Sequence, residues 1–161
     1  MSNTKIEILQ ALSPADFDLV RLLFREYAAG LGVDLCFQGF EAELSSLPGR
    51  YAPPGGGLWL VRAADELAAC VAFRQHDATS AEMKRLYVRP QFRGLGLGRR
   101  LVNLVLAKCA GCGYRRIVLD TLPSMAEAIG LYRQMGFEAI DPYYENPVQG
   151  ALFLAKELNQ R

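Results

Sequence analysis

The sequence has a single histidine, a single tryptophan, four cysteines and almost no net charge, +1 over 161 residues. With His76 as its only histidine, the chain offers no histidine-based metal cluster, and no metal is expected. Near-neutrality excludes nucleic-acid binding driven by bulk charge, so local charge must carry any argument about partners. No run of residues is apolar for long enough to span a bilayer, so no membrane association is expected. Residues Met1 to Gln10 lack the basic start and apolar run of a secretory signal. The expectation is a cytoplasmic chain whose cysteines are reduced. Cys109 and Cys112 form a lone C-x-x-C at the end of an apolar helical stretch, and without a second pair they are read as structural thiols. Repeats, low-complexity segments and charged tails are also missing.

The composition that is present, 51% hydrophobic and 22% charged, is that of a globular protein, and residues 1–161 read as one domain. Residues 5–9 form a first strand. Ser13-Pro14-Ala15-Asp16 then opens a helix, with a serine cap, a proline at the first helical position and an early acid. Phe17, Val20, Leu23, Phe24 and Tyr27 recur at helical spacing, and Gly30 is expected to end that helix. Residues 40–47 suggest a second, shorter helix, and residues 48–57 (PGRYAPPGGG) a loop. Strands follow at 58–63, 67–74 and 82–88. Leu97, Leu101, Leu104, Val105 and Cys109 share one face of a helix that Gly111 and Gly113 stop. Residues 115–120 form a strand. Ser124 to Met135 form a helix with a capping box of Ser124 and Glu127 and with Gly136 as terminator. A last strand covers 151–157. Early helices, consecutive strands and then strand–helix alternation imply an α/β or α+β fold with a mixed sheet.

The stretch Glu82 to Arg100, EMKRLYVRPQFRGLGLGRR, carries the chemistry. A strand enters a short loop and then a helix. Lys84, Arg85, Arg89, Arg93, Arg99 and Arg100 are basic, and no acid follows Glu82. A helix N-terminus presents N–H groups without internal partners and the positive end of the helix dipole. Glycines allow close backbone approach and arginines add charge-assisted bonds, so a pyrophosphate is a natural guest. The glycines at 94, 96 and 98 match neither the P-loop nor the dinucleotide pattern G-x-G-x-x-G.

Arg93-Gly94-Leu95-Gly96-Leu97-Gly98 resembles the R/Q-x-x-G-x-G/A acetyl-CoA signature of the GNAT superfamily of N-acyltransferases. Met83 to Val88 resembles the central strand of that family. Ala128-Ile129-Gly130-Leu131-Tyr132-Arg133-Gln134-Met135-Gly136-Phe137 resembles its A-x-x-L-Y-x-x-x-G-F block. The resemblance covers about residues 67–140. It implies a mixed, mostly antiparallel sheet flanked by helices, with a splayed parallel strand pair. Acetyl-CoA is then the co-substrate. Its pantetheine would bond to the backbone of Leu86 and Val88, and its pyrophosphate would sit on the N–H groups from Arg93 through Gly94, Leu95, Gly96, Leu97 and Gly98 to Arg99. The sequence departs from the family where many relatives start the later helix with asparagine. Met125 stands there, next to Ser124.

Acyl transfer to an amine requires a deprotonated amine, a stabilised thioester oxygen and a protonated leaving thiolate. Glu82, the only acid near the start of the central strand, is the candidate base, acting directly or through water. Backbone N–H groups near Leu86 and Tyr87 are the expected oxyanion donors. The resemblance makes Tyr132 the candidate acid, because its family equivalent often faces the sulfur. His76 lies in a turn-like HDATS and is read as solvated or turn-bonded. The family places its acceptor under the early helices and the last hairpin loop, which here contain Tyr27, Asp34, Phe37, Tyr143, Tyr144 and Asn146. Such aromatic walls suit a small-molecule amine, and Arg74 could pair with a substrate carboxylate. The absence of a broad acidic patch speaks against a highly basic protein tail. The reading is an N-acetyltransferase working by direct transfer in a ternary complex. Its rivals are a non-catalytic acyl-CoA-binding sensor of the same fold and a generic nucleotide-phosphate binder. Homodimers are common in the family, and the sequence leaves that state open.

Overall fold

In the computed structural model, residues 4–158 are described, apart from the side chain of Phe37, which lies outside the described residues. Strand β1 (Ile6–Gln10) leads into helices α1 (Pro14–Leu31) and α2 (Phe40–Ser45). Strands β2 (Gly57–Ala63), β3 (Glu66–Gln75) and β4 (Ser80–Val88) follow. Then come α3 (Leu97–Gly111), β5 (Arg116–Thr121), α4 (Ala126–Gln134), β6 (Glu138–Ala139) and β7 (Leu152–Glu157). The strands form one sheet in the order β1-β2-β3-β4-β5-β7-β6. Every neighbouring pair is antiparallel except β4 with β5, which is the expected mixed sheet with one parallel pair.

The alternation of side chains along a strand splits the core in two. Trp59, Val61, Val71 and Phe73 pack with Leu101, Val105 and Tyr132 under α3 and α4. Leu58, Leu60, Cys70 and Ala72 pack with Val20, Leu23 and Phe24 of α1 and Phe40 and Leu44 of α2. The sheet is therefore covered on both faces, and any ligand must enter where it is interrupted.

Local signals mostly act as the sequence suggests. Ser13 and Asp16 form a reciprocal capping box on α1, with Pro14 at its first position. Two expectations need correction. Gly30 lies inside α1, and the helix instead ends at Gly32, whose φ of 70° is the left-handed cap conformation. The Ser124–Glu127 capping box does not form, because α4 begins later: Met125 is its N-cap and makes no side-chain capping bond. Leu104 is half-buried, while Leu97, Leu101, Val105 and Cys109 are fully buried.

The interruption lies in β4. The register against β3 runs Glu82 to Arg74, Met83 to Phe73 and Lys84 to Ala72, then resumes with Tyr87 opposite Cys70. Arg85 and Leu86 thus form a β-bulge, and Arg85 adopts φ 62°, a left-handed conformation that a non-glycine residue reaches only at a cost of about 1–3 kcal/mol. A buried ion pair holds it. Arg85 Nε and Nη2 donate to Glu43 at 3.0 and 3.1 Å, with side chains only 2% and 10% exposed. The Arg85 guanidinium also lies 5.2 Å from the Phe40 ring centroid. The parallel pairing of β4 with β5 covers only Ser80–Glu82 against Arg116–Val118. Beyond it the two strands part, leaving the β5-facing edge of residues 83–88 without a strand partner.

Removing the carboxylate charge from this pair strands a buried guanidinium. Glu43→Gln is expected to lower unfolding stability by about 3–5 kcal/mol in urea titrations. A loss below about 1 kcal/mol would remove the pair as the lock on the bulge.

Candidate active site

Two adjoining cavities lie at the gap between the parted strands. The outer one is an open groove of about 690 Å³, lined by Leu86, Tyr87 and Val88 of β4, by the loop from Phe92 to Gly98 apart from Leu95, by Arg99, and by residues 124–128 and Leu131 of the α4 region. The inner one is a smaller, partly open cavity of about 30 Å³, with Gln38, Met83, Lys84, Arg85, Leu119, Asp120, Thr121 and Tyr132 among its walls. Tyr27, Leu31, Leu86 and Met125 line both, so the two cavities share a wall.

The groove floor is the start of α3. Gly96 is the N-cap residue with φ 75°, and no side chain caps the helix. Its first-turn N–H groups, at Leu97, Gly98 and Arg99, point out of the helix with no internal acceptor. Gly98 is needed for closeness as well, since a Cβ there would stand 3.3 Å from Leu131 Cδ2. Arg93 bonds Val88 O through Nε at 3.1 Å, and Arg99 donates to Gln134 Oε1 at 2.7 Å. Leu95 is exposed at the tip of the loop. The basic run is less concentrated here than the sequence suggested. Arg85 is taken by Glu43, Arg89 is ion-paired with Glu26 at 2.6 Å, and Lys84 faces the inner cavity. Arg93, Arg99 and Arg100 are the basic residues left around the loop.

Tyr132 is buried, and burial, with further push from Tyr27 and Asp120, raises its pKa well above the usual phenol range. It therefore holds its proton at neutral pH. Its hydroxyl has no hydrogen-bond partner among the described residues and faces the inner cavity.

Glu82 is 4% exposed and lines neither cavity. Its Oε1 accepts from Arg74 Nε at 3.0 Å and its Oε2 from the Tyr143 hydroxyl at 2.7 Å. Burial pushes its pKa up, but the Lys84 charge, the Tyr143 bond and Arg74 outweigh it and hold the carboxyl below its ordinary range. Arg74 is thus engaged with Glu82. Tyr143 also packs on Phe153 at 5.0 Å and on His76 at 4.6 Å, so His76 is a half-buried ring tilted against a tyrosine.

The inner cavity owes its polarity to three residues that the sequence reading did not single out as acceptor groups. Lys84 Nζ donates to Gln38 Oε1 at 3.2 Å, and Gln38 Nε2 donates to Tyr144 Oη at 3.1 Å. Tyr144 and Asn146 both donate to Asp120 Oδ2. Tyr144 lies behind this wall, while Asp34 caps the turn after α1 by accepting from Cys36 N at 2.9 Å. The sequence did contain a signal for Lys84: it shares the strand face of Glu82, two residues away, where a lysine must be buried. Cys109 is buried and Cys112 is exposed, both as free thiols. Among the described residues no group of three or more metal-ligating side chains gathers, and no helix is long and apolar enough to cross a membrane.

Residues 21–137 match the Acetyltransferase (GNAT) family. The chain belongs to that family. This acetyltransferase is 36% identical to an uncharacterized N-acetyltransferase of Schizosaccharomyces pombe, over 99% of each chain. It is 30% identical to an uncharacterized N-acetyltransferase of Dictyostelium discoideum, over 88% of this chain and 93% of that one. Its fold superposes on a GNAT acetyltransferase of Staphylococcus aureus with a TM-score of 0.79 at 18% identity, covering 96% and 100% of the two chains. It also superposes on a GNAT acetyltransferase of Elizabethkingia anophelis with acetyl-CoA bound, with a TM-score of 0.64 at 23% identity, covering 98% and 100%.

Lys84 makes the acetyltransferase sensitive to alkaline pH in an unusual direction. Burial, then the Arg85 charge, lowers its pKa from 10.5 to about 8 against the pull of Glu82. Between pH 8 and 10.5 the unfolded chain binds the proton that the folded one has lost, so this residue adds stability as pH rises. Lys84→Met is expected to raise unfolding stability on the order of 2–3 kcal/mol below pH 8, with the gain vanishing by about pH 10.5. Denaturation at pH 7 and pH 10 reads both values, and a gain that does not shrink with pH would refute the depressed pKa.

Proposed function

We propose that residues 1–161 act as one N-acetyltransferase domain that moves an acetyl group from acetyl-CoA to a primary amine of a small molecule, in a ternary complex and without a covalent enzyme intermediate. The observation that carries this reading is a pair of adjoining cavities that share Tyr27, Leu31, Leu86 and Met125: an open groove at an uncapped, basic helix start and a small polar chamber at the bulge.

The groove suits the donor. The pyrophosphate would lie on the first-turn amides of α3, between Arg93 and Arg99, where the helix dipole and guanidiniums favour negative charge. Pantetheine would run along the free edge of β4 and bond the backbone of Leu86 and Val88, taking the place of the strand that β5 does not supply. Met125, in the shared wall, has no amide with which to bond pantetheine and offers it packing. When bound, acetyl-CoA supplies an activated acyl group as a thioester.

The protein's own part is proton handling and charge stabilisation. Backbone N–H groups of Leu86 and Tyr87 face the developing oxyanion. Tyr132, which keeps its proton, gives it to the departing sulfur. Glu82 is ionised but stands behind the wall, so it takes the amine proton through an intervening water. Tyr27 walls the acceptor where the cavities adjoin, Tyr144 holds the chamber's Gln38 and Asp120 in place, and Tyr143 and Arg74 hold Glu82. The small chamber favours a small-molecule amine, and four cysteines outside any disulfide fit a cytoplasmic setting.

The test is thiol release from acetyl-CoA with a panel of amino acids, polyamines, aminoglycosides and peptides, alongside calorimetry with acetyl-CoA alone. Heat on titration and amine-dependent thiol release are expected, and silence in both would end the proposal. Tyr132→Phe is expected to lower kcat by roughly 10²-fold while keeping acetyl-CoA binding. An unchanged kcat would remove Tyr132 from the chemistry.

A further inference from the structure

Lys84 presents a problem that the mechanism above does not solve. Its residue is 8% exposed and its ammonium lines the inner chamber. Buried charges in proteins are normally paired. The other buried cation of this strand, Arg85, follows that rule with a bidentate bond to Glu43. Arg74 and Arg89 follow it with Glu82 and Glu26. Lys84 takes part in no ion pair among the described residues, and its one hydrogen bond goes to a neutral amide oxygen, that of Gln38. Two of its three N–H donors are thus left for something that enters the chamber.

We propose that the acceptor is an amino-carboxylate, a small molecule with a carboxylate close to its primary amine, and that Lys84 binds the carboxylate. This rests on the proposal that the chamber receives the acceptor amine, and it narrows the acceptor class. A carboxylate supplies a directly contacting counter-charge, accepts both free donors and is small enough to serve as a head group in a chamber of about 30 Å³. The chamber's other wall complements the rest of such a molecule. Asp120 lies on β5, across the gap from Lys84, and both hydrogen bonds it receives fall on Oδ2, leaving Oδ1 for an ammonium group. One cation and one carboxylate on opposite walls match a zwitterion better than a plain amine or a polyamine.

The experiment uses the full-length protein saturated with coenzyme A and calorimetric titration of amino acids with differing side chains, each beside its own carboxamide. The carboxamide keeps the amine and the shape but removes the negative charge. Amino acids are expected to bind about 10- to 100-fold more tightly than their carboxamides. In Lys84→Met, whose folding is checked by acetyl-CoA binding, that preference is expected to disappear. Equal affinity within the wild-type pairs, failure of both members to bind, or a preference that persists in Lys84→Met would each overturn the inference. The wild-type comparison stands alone if the variant does not fold. Thiol release is read separately with acetyl-CoA. Amino acids that bind through Lys84 but release no thiol would defeat the acetyl-transfer reading and leave the carboxylate site standing.

Discussion

Beside the gap that holds the site, one arginine is kept in a backbone conformation that it would not choose. Arg85 sits at φ 62° in the centre of the sheet, and its guanidinium is bound bidentately by Glu43 from α2. That contact holds the bulge, which lies just beyond the point where β4 and β5 stop pairing after three positions. A helix that looks peripheral in sequence therefore supplies the partner of the residue beside the opening.

The polar interior shows the same logic of mutual restraint. Glu82, Arg74 and Tyr143 satisfy one another, as do Tyr144, Asn146 and Asp120. These networks join β3, β4 and β5 to the loop before β7, and they turn that loop into a wall of fixed shape. Low local polarity makes each contact count for more and each unmet group cost more. Lys84 stands between the two networks, with its charge destabilised by burial, partly offset by Glu82 and Asp120, and in direct ion-pair contact with neither.

Much of this was legible in the sequence, for physical reasons. The glycine loop, the α3 stripe and the Leu131–Tyr132 block are local patterns: one helix face, one turn and one cap encode each. The Ser13–Asp16 box was readable because its partners are three residues apart. The acceptor chamber was not. Gln38 and Lys84 are 46 residues apart, and Asp120 and Tyr144 are 24 apart, so no window of sequence contains their bonds. The basic run misled for the same reason. Arg85 and Arg89 look like part of an anion site until their distant partners, Glu43 and Glu26, are known. The Ser124 box failed because the backbone turns into α4 only after Met125, a choice set by tertiary packing that a capping pattern cannot see.

The two cavities draw on partly different segments of the chain. The groove alone uses the β4–α3 turn, and the chamber alone uses the turn before α2 and the end of β5. A change at Gln38 therefore reshapes the chamber and leaves the glycine loop under the groove as it stands.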